Sequence, residues 1–229
     1  ASGQVVIFTG LQLTGEVIAF SGDSSGSETL TVNIGAGQQF TSLLTGSNID
    51  LVEYIGSTGD ESIAGGAMTE TITGAAGNDV LSGGAGNDTF VFSSYTTNGI
   101  DRITLGVTSS RIDDKLDFST NSFINDATAK IGLITESSVT GAIATDSAND
   151  NILILQNAYF ADAAALIAAT TTFSDIHSDV GNALIIYASS STTDARIAFA
   201  TISDAGDITD ATDVAVLVGL TVANAYSYF

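Results

Sequence analysis

The apolar residues of this chain fall into short runs separated by glycine- and serine-rich turns, which is the pattern of β-strands. In the first part of the sequence, β-branched runs at residues 5–8, 16–20 and 28–34 alternate with such turns. We therefore predict a strand-rich, solenoid-like flank over residues 1–46.

The pattern then acquires a period of nine residues, which holds for four repeats over residues 56–91. Each repeat begins with Gly, carries an acid at its sixth position and has a large apolar residue at its eighth. A nonapeptide cannot bury an apolar face alone, so such repeats must stack on one another. We predict a solenoid in which two repeats make one coil. The eighth-position residues should point inward: Ile63, Ile72, Leu81 and Phe90.

Beyond Phe92 the period is lost and longer elements begin. We predict strands at residues 150–155, 183–188, 195–202 and 214–220, with a turn at residues 204–207. Apolar residues recur at helical spacing over residues 158–169, which predicts a short amphipathic helix whose stripe packs in a core. The stripe consists of Tyr159, Phe160, Ala163, Leu166 and Ile167.

These patterns predict a mainly all-β protein. A parallel β-roll, or β-solenoid, precedes a β-rich C-terminal domain with a short helix. The boundaries we predict are 1–46 for the flank, 47–105 for the β-roll and 106–229 for the C-terminal domain.

The glycine turns bring carboxylates and main-chain carbonyls together, which is the donor set that Ca²⁺ prefers. Ca²⁺ takes six to eight oxygen ligands at ~2.3–2.6 Å and tolerates irregular geometry. Turns on one edge lie two repeats apart, so the predicted pairs are Glu61 with Asp79, Glu70 with Asp88, and Asp79 with Asp101. The alternative is that Gly-Asn-Asp is simply a good turn that needs no metal. Because the turns occur in tandem, we favour several Ca²⁺ ions. The candidate ligands are Gly56, Gly59, Glu61, Gly65, Glu70, Gly74, Ala76, Gly77, Asp79, Gly83, Gly84, Ala85, Gly86, Asp88 and Asp101.

The charge balance supports a cation partner. With 26 acidic and 5 basic residues, the formal net charge is −21, which disfavours nucleic acid and anionic membrane surfaces. There is no Cys, so disulfides and thiolate metal sites are excluded. No apolar run is long enough to span a membrane. The chain opens at Ala1 without a leader, and we expect it to be the C-terminal part of a longer protein.

The repeats of residues 56–91 resemble the RTX family, the nonapeptide-repeat proteins of bacterial type I secretion. The segments at residues 98–101 and 114–117 resemble those that commonly come after the repeats in that family, which adds Asp114 and Asp117 as candidate calcium ligands. Their local pattern alone is also that of a charged turn. The resemblance implies a parallel β-roll, calcium-driven folding outside the cell, a type I exporter as partner and a secretion signal near the C-terminus.

Within the family, the strand-rich segments at residues 28–32 and 48–53 look most like surface-layer proteins, which implies self-association at the bacterial cell surface. Two alternatives stay open. The chain could be the secretion and folding module of an extracellular RTX enzyme or toxin, or part of an adhesin.

Catalysis within the chain is not expected. His177 is the single histidine, and no HExxH motif is present, which removes a zinc hydrolase site of that type. Serines and acids are so abundant that neighbours of His177 are no sign of a triad. The acids at 204, 207, 210 and 213 recur every third residue, unlike the ligands of an EF-hand, and we interpret them as a solvated turn.

Overall fold

The computed structural model describes two compact units, Ala1–Thr120 and Asn121–Ser227. The three-segment division of the chain at residues 46 and 105 stays a prediction. The described residues are 5–9, 19–21, 28–42, 45–47, 49–94, 96–108, 111–112, 114–118, 130–134, 141–143, 150–169, 171–173, 182–189, 194–203 and 207–220.

The first unit is a parallel β-solenoid of about three turns, as the nine-residue period predicts. Its strands are, in chain order, β1 (Val5–Thr9), β2 (Ala19–Ser21), β3 (Thr29–Asn33), β4 (Gln39–Thr41), β5 (Thr45–Ser47), β6 (Leu51–Ile55), β7 (Ser62–Ala64), β8 (Glu70–Thr73), β9 (Val80–Ser82), β10 (Thr89–Val91), β11 (Asp101–Thr104), β12 (Val107–Thr108), β13 (Arg111–Ile112) and β14 (Lys115–Asp117). Strands β1, β3, β6, β8, β10 and β14 form one parallel sheet, and β4, β7, β9 and β11 run side by side in a second.

The strand register confirms that two repeats make one coil. Ile63 pairs with Leu81, and Ile72 pairs with Phe90, so equivalent residues stand two repeats apart. All four are at most 2% exposed, which confirms that the eighth position supplies the core. The same columns continue beyond the repeats, through Phe40 and Tyr54 on one side and Ile103 and Leu116 on the other. The apolar core therefore fixes the register of every turn between the strands.

The second unit is a mixed sheet with a helix packed on it. Its elements are β15 (Lys130–Ile134), β16 (Gly141–Ile143), β17 (Asp150–Tyr159), α1 (Ala163–Ala168), β18 (Thr171–Phe173), β19 (Asn182–Ala188), β20 (Ala195–Ile202) and β21 (Ile208–Leu217). The strand order is β15-β17-β19-β20-β21, with parallel pairing up to β19 and antiparallel pairing after it. Leu166 and Ala163 of α1 pack in one core with Leu155, Ile185 and Tyr187.

Among the described residues, no helix has the length and apolar character needed to cross a membrane.

The predicted helix over residues 158–169 starts too early. Strand β17 continues to Tyr159, which pairs with Ala188 and is 58% exposed, so Tyr159 is not part of the buried stripe. The helix begins after Asp162, whose carboxylate caps it by accepting the Ala165 N–H at 2.9 Å. The strand predicted at residues 214–220 likewise begins earlier, at Ile208.

The prediction of a solvated turn through the acids of residues 204–213 is wrong at its end. Asp210 and Asp213 both lie in β21; Asp210 is exposed, as predicted, whereas Asp213 is buried. Its carboxylate accepts hydrogen bonds from the Tyr187 hydroxyl, from Arg196 Nη1 at 2.8 Å and from the Ala163 N–H at 3.2 Å. Burial is the main cause that raises the pKa of the Tyr187 hydroxyl, and the hydrogen bond to Asp213 raises this pKa further. This buried acid therefore ties the first residue of α1 to three strands of the sheet. His177, Asp113, Asp204 and the aromatic residues at 226–229 lie outside the described residues.

Candidate calcium-binding turns

Six acidic residues stand in two columns where the solenoid turns lead into its strands. The first acid column is Glu61, Asp79 and Asp101, before or at the start of β7, β9 and β11. The second acid column is Glu70, Asp88 and Asp114, beside β8, β10 and β14. Every one of these side chains is at most 2% exposed. Acids are almost never buried this completely unless they have partners.

In each column, one carboxylate oxygen of the second and of the third acid accepts a hydrogen bond from the main-chain N–H of the preceding acid, which lies one coil earlier. In the first column, Asp79 Oδ1 accepts the Glu61 N–H at 2.7 Å, and Asp101 Oδ1 accepts the Asp79 N–H at 3.0 Å. In the second, Asp88 Oδ1 accepts the Glu70 N–H at 2.9 Å, and Asp114 Oδ1 accepts the Asp88 N–H at 3.0 Å. The structure therefore brings together the acid pairs that the sequence predicts, one coil apart.

The other oxygen of three acids has no hydrogen-bond donor. These buried atoms are Glu70 Oε2, Asp79 Oδ2 and Asp88 Oδ2. A buried acceptor without a partner is costly, and each such group in a folded protein calls for an explanation such as an ion. Burial raises the pKa of Asp79 to about 6. Burial together with the neighbouring Asp88 raises the pKa of Glu70 to about 9.

Main-chain carbonyl oxygens crowd the same turns. A Cβ built on Gly77 would lie 2.1 Å from the carbonyl oxygen of Gly59, and one built on Gly86 would lie 2.0 Å from that of Met68. Gly74 and Gly83 sit directly against the unpartnered oxygens of Asp79 and Asp88, at 2.4 and 2.1 Å from the built Cβ. Only glycine leaves this space, and Gly77 and Gly86 also have φ values of 126° and 137°. Each turn therefore has more oxygen acceptors than donors. The acceptors surround a small space that a side chain at the glycine position would fill.

This donor set fits Ca²⁺. Among the described residues, no three or more His, Cys, Asp or Glu side chains form a metal-binding group, and the oxygens beside the turn glycines Gly77 and Gly86 are the main-chain carbonyls of Gly59 and Met68. Carbonyls combined with one or two carboxylates suit a hard ion that accepts irregular oxygen cages. The residues that would hold it are the three acids with unpartnered oxygens and the neighbouring turn glycines.

Comparison with known families decides the nature of these turns. A family model for the RTX calcium-binding nonapeptide repeat matches residues 55–90 in four copies. The turns are RTX repeats. No curated protein matches the chain. RTX repeats bind calcium and are typical of extracellular proteins, so this solenoid is a calcium-binding structural module.

The other predicted ligands lie in or beside the RTX turns in supporting positions. The N–H groups of Ala76 and Ala85 donate to the carbonyls of Ser57 and Gly66. The N–H groups of Gly56 and Gly65 donate to Thr73 and Ser82. Asp117 lies in β14, half-buried, and its carbonyl accepts the Phe92 N–H.

Sequence reasoning missed the side-chain donor at the end of the first acid column. Asn98 is 1% exposed, and its Nδ2 donates to Asp101 Oδ2 at 2.6 Å. Burial, countered in part by bonds from Asp79 and Asn98, raises the pKa of Asp101 to about 7. Asn98 lies outside the nine-residue period, so the repeat carries no signal for it.

Sequence reasoning also missed a set of exposed hydrogen bonds between successive coils. Asp60 Oδ1 accepts the Asn78 N–H, and Asn78 Oδ1 accepts the Ile100 N–H.

We predict opposite pH dependences for the stability of the metal-free RTX repeats and for their calcium affinity. Acids with raised pKa hold protons more tightly in the folded state, so their stabilisation is complete below the usual pKa of about 4 and is lost as pH rises through the folded values. For Asp79, Asp101 and Glu70 these are about 6, 7 and 9. Metal-free stability should therefore fall from about pH 4 to about pH 9. Calcium affinity should rise over the same interval, because the metal needs the deprotonated oxygens.

Denaturant unfolding in chelator and calcium calorimetry across this interval measure both quantities. Calorimetry in buffers of different ionisation enthalpy should also show proton release on binding. Calcium binding without any proton release near neutral pH would contradict the raised pKa values of Glu70, Asp79 and Asp101.

We predict that Gly77→Ala damages calcium binding far more than Gly37→Ala. Both glycines have positive φ, 126° and 68°, so both substitutions strain the backbone, by about 1–3 kcal/mol. A Cβ at Gly77 must in addition displace the Gly59 carbonyl, whereas a Cβ at Gly37 meets nothing within 4 Å. Calcium titration and denaturant unfolding of both variants measure the difference. Equal losses of affinity would show that the close carbonyl stack plays no part in binding.

Proposed function

We propose that this chain is the calcium-dependent structural module of a secreted bacterial cell-surface protein. It leaves the cell through a type I exporter, folds when it meets external Ca²⁺, and assembles with other copies into a surface layer. The observation that carries the proposal is the set of buried, unpartnered carboxylate oxygens in the RTX turns. Those turns are incomplete without a cation, so folding depends on where the cation is available.

Charge supports the link between location and folding. At a net charge of −21, the empty chain repels itself, and low calcium favours the unfolded form that an exporter needs. Extracellular calcium modules typically bind at ~10⁻⁴–10⁻³ M, and each tenfold excess of calcium over the dissociation constant adds about 1.4 kcal/mol per site to the folded state. A few sites together are enough to decide folding of a domain whose net stability is about 5–15 kcal/mol.

Composition supports the secretion route. The chain has neither Cys nor Pro, so no disulfide formation and no proline isomerisation delays folding outside the cell. Calcium then acts as the trigger, because the apolar core columns become more stable once the acid columns beside them stop repelling one another.

Self-association is the proposed use of the folded module. Among the described strands, β1 and β14 are the outer ones of the first solenoid sheet, and the outer strand of a sheet offers main-chain groups for pairing with another chain. Contacts that join one face of a copy to a different face of the next propagate into arrays instead of closing into a small oligomer. Neutralisation of the acids by calcium removes the repulsion that would oppose such contacts.

A calcium titration of the full-length parent protein, followed by circular dichroism and light scattering together, tests the proposal. We expect a weaker strand signal in chelator, a stronger one at millimolar calcium, and ordered arrays by electron microscopy that dissolve again in chelator. Mg²⁺ at the same concentration should not substitute, because it demands tighter octahedral geometry.

Different results would contradict the two parts of the proposal, calcium-driven folding and assembly. A strand signal that is unchanged by chelator, or an equal response to Mg²⁺, would contradict calcium-driven folding. A parent that folds with calcium and stays monomeric at every concentration would contradict assembly. That outcome would favour the folding module of an RTX enzyme, toxin or adhesin instead.

A further inference from the structure

Glu61 and Glu70 occupy the same sixth position in the first two RTX repeats, yet their carboxylates have different partners. Both oxygens of Glu61 are used: Oε1 accepts the Gly37 N–H at 2.8 Å and the Ser57 hydroxyl at 3.2 Å, and Oε2 accepts the Ser57 N–H at 2.9 Å. The Glu70 carboxylate is held more loosely: Oε1 accepts the Gly66 N–H at a long 3.3 Å, the Met68 main chain is a second neighbour, and Oε2 has no hydrogen-bond donor. The two glutamates therefore differ in their need for a cation.

The turn that precedes the repeats explains the difference. A Cβ built on Gly77 or Gly99 would meet a carbonyl oxygen of the preceding turn, but one built on Gly59 would meet the Gly37 nitrogen, at 2.8 Å. The turn at residues 35–38 thus offers a donor where the later turns offer acceptors.

The last acid of each column is satisfied in the same way by protein donors. Asp101 Oδ2 accepts Asn98 Nδ2 at 2.6 Å, and Asp114 Oδ2 accepts the Gly106 N–H at 2.6 Å. Their Oδ1 atoms accept the N–H groups of the acids above them. Protein donors therefore satisfy the first and last acids of the first column, Glu61 and Asp101, and the last acid of the second column, Asp114.

The unpartnered oxygens that remain are distributed unequally. The first acid column keeps one, Asp79 Oδ2, and the second keeps two, Glu70 Oε2 and Asp88 Oδ2, which come from successive coils. The Glu70 N–H donates to Asp88 Oδ1 at 2.9 Å, so the two acids lie directly beside each other on successive coils. Two buried carboxylates side by side cannot both stay ionised without a counter-ion, and together they attract a divalent cation more strongly than one does.

We propose that Glu70 and Asp88 form the tighter calcium site of this module, whereas Glu61 is a cap that holds the first coil without metal. Asp79 is then the acid that contributes a side-chain oxygen to a weaker site on the other edge. This inference rests on calcium binding by the RTX repeats and is independent of secretion and assembly.

The substitutions Glu70→Gln and Glu61→Gln in the 229-residue chain form a matched pair, because each removes one charge at the same repeat position and keeps the side-chain length. Calcium calorimetry should show that Glu70→Gln weakens the tighter class of site by about tenfold or more, on the scale by which ligand charge tunes such sites. Glu61→Gln should leave calcium affinity within about twofold. Native mass spectrometry should find as many bound calcium ions in Glu61→Gln as in the unaltered chain.

Stability without metal should move in opposite directions. In chelator, Glu70→Gln removes the cost of burying an unpartnered carboxyl group and should raise the denaturant midpoint. Glu61→Gln places an amide NH₂ against N–H donors and should lower it. If Glu61→Gln does not fold in chelator, the count of bound calcium ions in the calcium-refolded variant still decides the assignment.

Three outcomes would overturn the assignment: a loss of calcium in Glu61→Gln equal to that in Glu70→Gln, calcium binding by Glu70→Gln that matches the unaltered chain, or a higher metal-free midpoint for Glu61→Gln. Absence of calcium binding in the unaltered chain is a different result, because it would contradict the calcium-binding function itself.

Discussion

The structure of the solenoid depends on buried carboxylates that the protein itself does not satisfy. The stacked RTX turns are lined by main-chain carbonyls and by the acids of two columns, and all of these are acceptors. Glycines at the tightest contacts leave no side chain that could donate, so an external cation is what can balance the oxygens of Glu70, Asp79 and Asp88. Protonation is the other way to relieve them, and the raised pKa values of Glu70 and Asp79 express that competition.

The apolar core holds these acceptors together. Ile63, Ile72, Leu81 and Phe90 form continuous columns through the paired strands, and side-chain burial of this kind contributes about 1.5–3 kcal/mol for each residue. The same register that stacks these residues also stacks the acids, so hydrophobic burial and carboxylate repulsion are opposed within one coil. In the proposed function, calcium shifts that balance toward the folded state, and this links the fold of the module to its ligand.

Much of this arrangement was predictable from the sequence, because a strict period carries geometric information. The nine-residue spacing predicts the solenoid, the inward residues and the acid pairs one coil apart. It does not distinguish Glu61 from Glu70, because their difference comes from donors outside the period, above all the Gly37 N–H. The same reason hides Asn98, which lies beyond the last repeat.

The second unit shows where local patterns fail. Tyr159 has the right spacing for a helix, but pairing with β19 extends its strand. Asp213 resembles its exposed neighbour Asp210 in sequence, but strand β21 buries it against Tyr187 and Arg196. In both cases, contacts between residues far apart in the chain decide the outcome, and spacing along one segment cannot reveal them.

The most direct test of the central claim is an anomalous-difference electron-density map from crystals of the chain grown in calcium. The account predicts calcium peaks ~2.3–2.6 Å from Glu70 Oε2, Asp88 Oδ2 and Asp79 Oδ2, with no peak bound to the carboxylate of Glu61. Well-ordered turns in which these three oxygens have no cation, or are hydrogen-bonded to water or protein donors instead, would contradict it.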